Sequence, residues 1–258
     1  MSRIAARFAA RRAEGKTTFV SFVTAGDPSL DRTVEVALQL ERGGTDVLEL
    51  GVPFSDPVAD GPVIQRSSER ALSRGTTLAS VLDAARRIRD RSQLPLVIFS
   101  YLNPLHRYGF ERFARDASRA GVDGVLVTDL PPEEADAWLA SLGDAGLDAI
   151  MLAAPTSSDE RLDRIVATAS GFVYAVSRTG VTGERSAISE DAARLTNRVR
   201  ARSDRPVALG FGISSPEQVE EAARIADGVV VGSALVRFLE EQPDADVAPM
   251  VKRLRGAA

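Results

Sequence analysis

Four carboxylates, Asp27, Glu49, Asp60 and Asp129, fall at or just beyond the ends of short apolar runs in a chain with little other catalytic equipment. Lys16 and Lys252 are its only lysines, His106 is its only histidine, and it has no cysteine. Schiff-base chemistry needs a lysine inside the site. Lys16 precedes the first apolar run and Lys252 lies in the C-terminal segment. A metal-dependent aldolase or isomerase needs several histidines, or carboxylates clustered with histidine. His106 stands alone in Asn103-Pro104-Leu105-His106-Arg107-Tyr108-Gly109 and reads as a surface loop residue. Without cysteine, disulfides and thiolate nucleophiles are excluded. Proton transfer is left to carboxylates, tyrosine or water, which makes general acid–base catalysis the expected chemistry.

Period-two alternation ranks Glu49 first. In Val47-Leu48-Glu49-Leu50-Gly51 the two leucines share one face of a strand and Val47, Glu49 and Gly51 share the other. If the leucines face a layer of helices, Glu49 faces the interior, where desolvation raises a carboxyl pKa into a range useful for proton transfer. The competing role is a buried ion pair with an arginine. Asp60, in Asp56-Pro57-Val58-Ala59-Asp60-Gly61-Pro62, reads locally as a turn residue. Asp27, before Pro28, and Asp129 read as caps of loops or helix starts. These three stay unranked on residue physics.

The elements that must hold these groups alternate along the chain. Strands are expected at Phe19–Val23, Val47–Gly51, Leu96–Ser100, Gly124–Thr128, Asp148–Leu152, Phe172–Val176, Val207–Gly210 and Gly228–Gly232. Helical periodicity occupies Leu30–Arg42, Leu78–Arg91, Phe110–Ala120, Pro132–Ala145, Asp159–Ala169, Ala192–Ala201 and Pro216–Ile225. Ser158 and Ser215-Pro216 supply recognisable helix starts. Near-continuous apolar strands alternating with helices imply a parallel sheet, and eight repeats favour closure into a (β/α)8 TIM barrel. No linker divides residues 1–258, so one catalytic domain is expected, with an extra N-terminal helix and another helix after the last strand. The connections after the second strand, PFSDPVADGPVIQRSSERALSRGTTL, and after the sixth, SRTGVTGERSAIS, are the longest at strand ends. Barrels build active sites from such loops.

Gly210-Phe211-Gly212-Ile213-Ser214 follows the seventh strand and Gly232-Ser233-Ala234 the eighth. Tight turns alone would account for either. Two at consecutive strand ends, where barrels bind phosphate with backbone N–H groups and a helix N-terminus, point to a phosphate site. Ser233 can add a hydroxyl donor, and Gly183 can close over the same group. A third glycine is missing from Gly210-Phe211-Gly212-Ile213-Ser214-Ser215, so a dinucleotide fold is not indicated.

Composition bounds the partners. The chain has 258 residues, 44% hydrophobic, and a net charge of −4, with mean hydropathy near zero. No global positive field exists to attract nucleic acid or an anionic membrane, and no apolar run is long enough to span a bilayer. In MSRIAARFAARRAEGK, Ile4 and Phe8 at i, i+4 read as the docking face of a helix, in preference to an Arg-rich transit peptide. A soluble, cytoplasmic protein is expected.

Leu48-Glu49-Leu50-Gly51-Val52-Pro53-Phe54-Ser55-Asp56-Pro57, with Ala59-Asp60-Gly61-Pro62 and Ile64-Gln65 after it, closely resembles the signature of the tryptophan synthase α subunit family. The likeness continues in order through Thr24-Ala25-Gly26-Asp27-Pro28, Ser177-Arg178-Thr179-Gly180-Val181-Thr182-Gly183, Gly210-Phe211-Gly212-Ile213-Ser214 and Gly232-Ser233-Ala234, essentially the whole chain. The resemblance implies a lyase that cleaves indole-3-glycerol phosphate into indole and glyceraldehyde 3-phosphate by acid–base catalysis. No cofactor or metal is implied in this chain. Glu49 and Asp60 match the family's catalytic carboxylates, which elevates Asp60 from turn residue to partner. By the same match, Phe22 and Tyr174 line the site, and Tyr101 and Asn103 lie near the indole pocket and the subunit interface. Gly183, Phe211, Gly212, Gly232 and Ser233 hold the phosphate. Thr182 resembles a lid residue that bonds the catalytic aspartate, and Pro53 and Asp56 fall in a partner-contacting loop. Ser68, often alanine in the family, is a minor departure. The implied partner is a β subunit carrying pyridoxal phosphate, in an α2β2 heterotetramer. A stand-alone lyase releasing free indole, a catalytically silent binding partner and another phosphosugar barrel are the alternatives.

Overall fold

The fold was analysed in a computed structural model that describes residues 1–176, 190–210 and 212–256. Eight strands, β1 (Thr18–Thr24), β2 (Val47–Gly51), β3 (Leu96–Ser100), β4 (Gly124–Val127), β5 (Asp148–Ala153), β6 (Val173–Val176), β7 (Val207–Gly210) and β8 (Gly228–Val231), form a closed barrel in sequence order. Every neighbouring pair is parallel, and β8 returns to β1 with Phe19 opposite Val229. This is the (β/α)8 barrel expected from the alternation of apolar runs and helical periods.

Period-two alternation sorts the side chains into two cores. Phe19, Val23, Leu48, Leu50, Leu96 and Ile98 pack outward under the helices. Val20, Phe22, Val47, Val97, Phe99 and Tyr174 fill the barrel. The outer ring includes α2 (Leu30–Gly43), α3 (Pro62–Ser73), α4 (Leu78–Arg89), α5 (Leu102–Tyr108), α6 (Phe110–Arg119), α7 (Asp136–Ala145), α8 (Asp159–Thr168), α9 (Glu190–Arg200), α10 (Pro216–Ala223), α11 (Ser233–Glu241) and α12 (Ala248–Arg255).

The extra N-terminal helix, α1 (Arg3–Ala13), seals the barrel floor. Ile4 and Phe8 are buried in the inner core, Phe8 against Phe172 at 5.3 Å between ring centroids. A Cβ at Gly124 would strike Ile4, and one at Gly228 would strike Phe8. The arginines around this face hold aspartates that precede strands. Arg3 pairs with Asp123 at 2.8 Å, Arg11 with Asp46 at 3.2 Å and Arg12 with Asp227 at 3.2 Å. Each aspartate also accepts a strand N–H, from Leu96, Phe19 and Val207 respectively. The docking face read from Ile4 and Phe8 is thus part of the fold.

Several boundaries differ from the sequence reading. The long connection after β2 contains a three-turn helix, α3, whose buried face is Ile64, Ser67, Ser68 and Ala71, too polar for hydrophobic periodicity to reveal. His106 lies in the short helix α5, exposed as expected but not in a loop. The single helix expected over Pro132–Ala145 is a 3-10 turn, Pro132–Glu134, followed by α7. Two helices, not one, follow β8, and Gly232 is the residue that caps α11 and not the last of the strand. Other ends shift by one or two residues. No helix among the described residues is long and apolar enough to cross a membrane.

Candidate active site

Glu49 sits in the inner layer of the barrel because its register partners, Phe22 on β1 and Val97 on β3, both face inward. It is completely buried, and neither carboxylate oxygen has a hydrogen-bond partner. Among the described residues no arginine makes it a structural ion pair. Burial alone pushes its pKa up to about 8.

Asp60 arrives from outside the strands. Its N–H closes a turn onto the Pro57 carbonyl at 3.0 Å, and Gly61 and Pro62 then start α3 as N-cap and first helical residue. The turn role foreseen for the Asp-Gly pair therefore holds for the backbone, while the side chain does something else. Its buried carboxylate accepts a hydrogen bond from the Tyr101 hydroxyl at 3.0 Å. Burial raises its pKa to about 6, opposed by the Tyr101 bond. Tyr101 precedes α5, accepts the Ala59 N–H at 3.0 Å and packs against Phe54, so the turn and the phenol brace each other.

Tyr174 on β6 is buried beside both carboxylates, and burial with their nearby negative charge drives its phenol well above the usual range. Gly210 is required next to it, since a Cβ there would lie 2.1 Å from the Tyr174 hydroxyl. Phe22 meets Phe99 edge-on at 5.1 Å. It also abuts Gly51 and Gly232, where a Cβ would come within 2.5 and 3.2 Å of its ring and side chain. Phe22, Glu49, Asp60, Tyr174, Gly212, Gly232 and Ser233 thus line one cavity of about 70 Å³. Gly61, Gly212 and Ser233 also line a cleft of about 720 Å³ that reaches Asp129, Arg161 and Arg237.

Of the two helix starts beside this cleft, α10 is capped by its own residues. Gln218 Oε1 accepts the N–H groups of Ser214 and Ser215, and Ser215 Oγ accepts that of Gln218. The start of α11, at Gly232 and Ser233, has no side-chain cap. Helix geometry leaves the first N–H groups without intrahelical partners, the arrangement that suits an anion. Gly212, at φ +83°, adopts a conformation that suits glycine.

The remaining carboxylates separate cleanly. Asp27 receives both arms of the Arg70 guanidinium, at 2.9 and 2.6 Å, and Asp129 accepts the Leu102 N–H at 2.7 Å where α5 begins. Both hold elements together, as caps and ion pairs do. Asp56 and Asn103 are exposed, and Pro53 is buried two residues past the end of β2. Thr182, Gly183 and Phe211 lie outside the described residues. Phe99, Gln65 and Gln218 had been given no role. Period-two alternation marks Phe99 as inward and the Ser-x-x-Gln spacing of a capping box marks Gln218, whereas no local signal marks Gln65. Among the described residues no group of three or more His, Cys, Asp or Glu is arranged to hold a metal ion.

Comparison with known proteins agrees with this architecture. The family described as Tryptophan synthase alpha chain matches residues 8–255. The chain is 53% identical, over 247 residues, to the tryptophan synthase alpha chain of Citrifermentans bemidjiense, covering 96% of this chain and 92% of that one. Among solved structures, tryptophan synthase of Mycobacterium tuberculosis superposes with a TM-score of 0.92 at 40% identity, covering 98% of this chain and 97% of that chain. Tryptophan synthase subunit alpha of Legionella pneumophila gives 0.91 at 37% identity, covering 100% and 98%. With a barrel that places Glu49 and Asp60 in one cavity and a family match across nearly its whole length, the chain belongs to the tryptophan synthase alpha chain family.

Proposed function

We propose that this chain, an enzyme of tryptophan synthesis by its family, cleaves indole-3-glycerol phosphate to indole and glyceraldehyde 3-phosphate by a retro-aldol reaction. The observation that carries the mechanism is the contrast between two carboxyls in one cavity. Glu49, unpartnered and near pKa 8, holds a proton at neutral pH, whereas Asp60, near 6 and bonded to Tyr101, is ionised. Environments that push paired carboxyls apart assign acid and base roles.

The glutamic acid gives its proton to indole C3, and positive charge develops on the ring. Asp60 accepts the indole N–H and stabilises that charge. The bond between C3 and the carbinol carbon then breaks while the hydroxyl on that carbon becomes the aldehyde. Its proton passes to Glu49, which ends the cycle protonated as it began. Apolar contacts from Phe22, together with Tyr101 and Tyr174, bound the indole. The N–H groups at Gly212 and Gly232 and the Ser233 hydroxyl hold the phosphate, with Phe211, Gly183 and Thr182 completing the site by family resemblance. Every proton in this scheme moves between substrate and carboxylate, so no cofactor is required of this chain.

We read residues 1–258 as one catalytic domain of a cytoplasmic protein, joined to a pyridoxal-phosphate β subunit in an α2β2 heterotetramer. The test is direct. Purified chain, alone and with a tryptophan synthase β subunit, is given indole-3-glycerol phosphate while glyceraldehyde 3-phosphate is measured. Release that rises strongly on adding the β subunit supports the reading. Full release without dependence on it would favour a stand-alone lyase, and no release under either condition would refute the activity.

A further inference from the structure

Asp60 is two residues from the first turn of α3, so whatever fixes that helix fixes the carboxylate. Gln65, one turn in, donates from Nε2 to the Asp60 carbonyl at 2.9 Å. Two other elements grip the helix farther along.

The first is the stretch that ends β1, Thr24-Ala25-Gly26-Asp27-Pro28, none of which lines either cavity. Ser67 Oγ donates to the Ile64 carbonyl at 2.7 Å, so in its buried 2.6 Å contact with Thr24 the threonine hydroxyl is the donor. Gly26 runs so close behind α3 that a Cβ would lie 2.1 Å from Thr76 Oγ1, just past the helix. Asp27 then takes the bidentate bond from Arg70, with its own side chain only 7% exposed.

The second element is α11, the helix whose N-terminus holds Ser233. Near its C-terminal end Glu240 accepts Arg70 at 2.8 Å and both nitrogens of the Arg66 fork at 3.0 Å. Isolated surface pairs are weak, but bidentate guanidinium–carboxylate bonds in a network have directional geometry. Arg70 is the residue common to both grips.

We propose that Arg70 is a positioning residue: by joining Asp27 to Glu240 it fixes α3, and Asp60 at its start, relative to the phosphate-holding end of α11. This rests on the assignment of Asp60 and Ser233 above. A substrate held by its phosphate at one end and by its indole N–H at the other requires a fixed span between the two sites. Misplacement by about 1 Å can cost about 10²-fold in rate without loss of binding at either end.

The test compares Arg70→Gln, the milder Glu240→Gln and the conservative Arg70→Lys, each assembled with the β subunit, in wild-type and Asp60→Asn backgrounds. Arg70→Gln should lower kcat by about 10- to 100-fold with KM changed less than about threefold. Glu240→Gln should act in the same direction but less, and Arg70→Lys should recover part of the loss. In the Asp60→Asn background Arg70→Gln should remove less than about twofold of the residual kcat, because contacts acting through one group are not additive. Unchanged kcat in Arg70→Gln, or an equal fall with and without the Asp60 carboxylate, would overturn the proposal alone. Full activity in Asp60→Asn itself would overturn the site assignment and the proposal together.

Discussion

The Tyr101 hydroxyl donates to the Asp60 carboxylate at 3.0 Å while accepting the Ala59 N–H at the same distance, so one phenol fixes both the backbone and the side chain of the Asp60 turn. Its bond is also what opposes burial in setting the Asp60 pKa. Tyr101→Phe is therefore expected to raise that pKa above about 6 and to move the acid limb of the kcat/KM profile upward. Activity near pH 6 should suffer more than activity near pH 8. A rate profile across pH 5–9 checks this, and an acid limb that stays in place would separate Asp60 from the limb.

Removing either carboxyl proposed to handle protons has a defined cost. Glu49→Gln and Asp60→Asn should each lower turnover by about 10²–10⁴-fold, the usual size of a general acid–base contribution. Circular dichroism should remain that of the wild type. Near-normal turnover in either variant would remove that residue from the mechanism.

Glu49→Gln should also stabilise the protein at alkaline pH. The folded-state pKa, near 8, lies above the ordinary value of 4.5. Between those two values the folded chain binds the extra proton, so stability falls as pH rises through that window and is lowest above the folded pKa. The neutral amide carries no such dependence. Thermal unfolding should show the variant ahead by up to a few kcal/mol near pH 9 and level with wild type near pH 4.5. Equal pH dependence in the two proteins would contradict the buried, unpartnered state of Glu49.

At Gly210 the obstacle to a larger residue is the Tyr174 phenol, 2.1 Å from the site of a Cβ, with its Cζ at 2.5 Å. Gly210→Ala should cost about 1–3 kcal/mol of stability through overpacking and reduce kcat/KM by displacing the ring. Adding Tyr174→Phe should restore part of the stability and not all, because the ring carbon remains too close. Chemical denaturation of the single and double variants measures the coupling directly.

Ser233→Asp separates folding from substrate binding. A carboxylate in the first turn of α11 favours the helix dipole, so the unfolding temperature should hold or rise. The same charge repels a phosphate bound there, and KM should increase by about tenfold or more. Unchanged KM would place the phosphate elsewhere.

Much of this architecture can be read before folding is considered, for reasons that differ by residue. Glu49 announces itself because a charged side chain interrupts a strand whose outward neighbours, Leu48 and Leu50, fix the face it occupies. Asp60 does not. Its backbone behaves as an Asp-Gly turn should, and its distinguishing contact comes from Tyr101, 41 residues away. The helix α3 escapes notice because Ser67 and Ser68 are buried where apolar residues would mark a face, Ser67 with its hydroxyl bonded to a backbone carbonyl and to Thr24. Helix α5 is hidden by Pro104, which the first turn of a helix tolerates because the missing N–H would have no partner there. Arg70 is one arginine among many in the sequence, and only the approach of β1 and α11 to the same helix distinguishes it.

The floor formed by α1 also gives the molecule a handle. Ile4 and Phe8 anchor the helix inside the barrel, while Met1 just ahead of it is 97% exposed. An affinity tag or surface linker joined there leaves from the end opposite the cleft. Enzyme tethered in that way presents its cleft and the exposed Asp56 to solution, an orientation suited to testing the proposed β-subunit capture and indole release on the same immobilised sample.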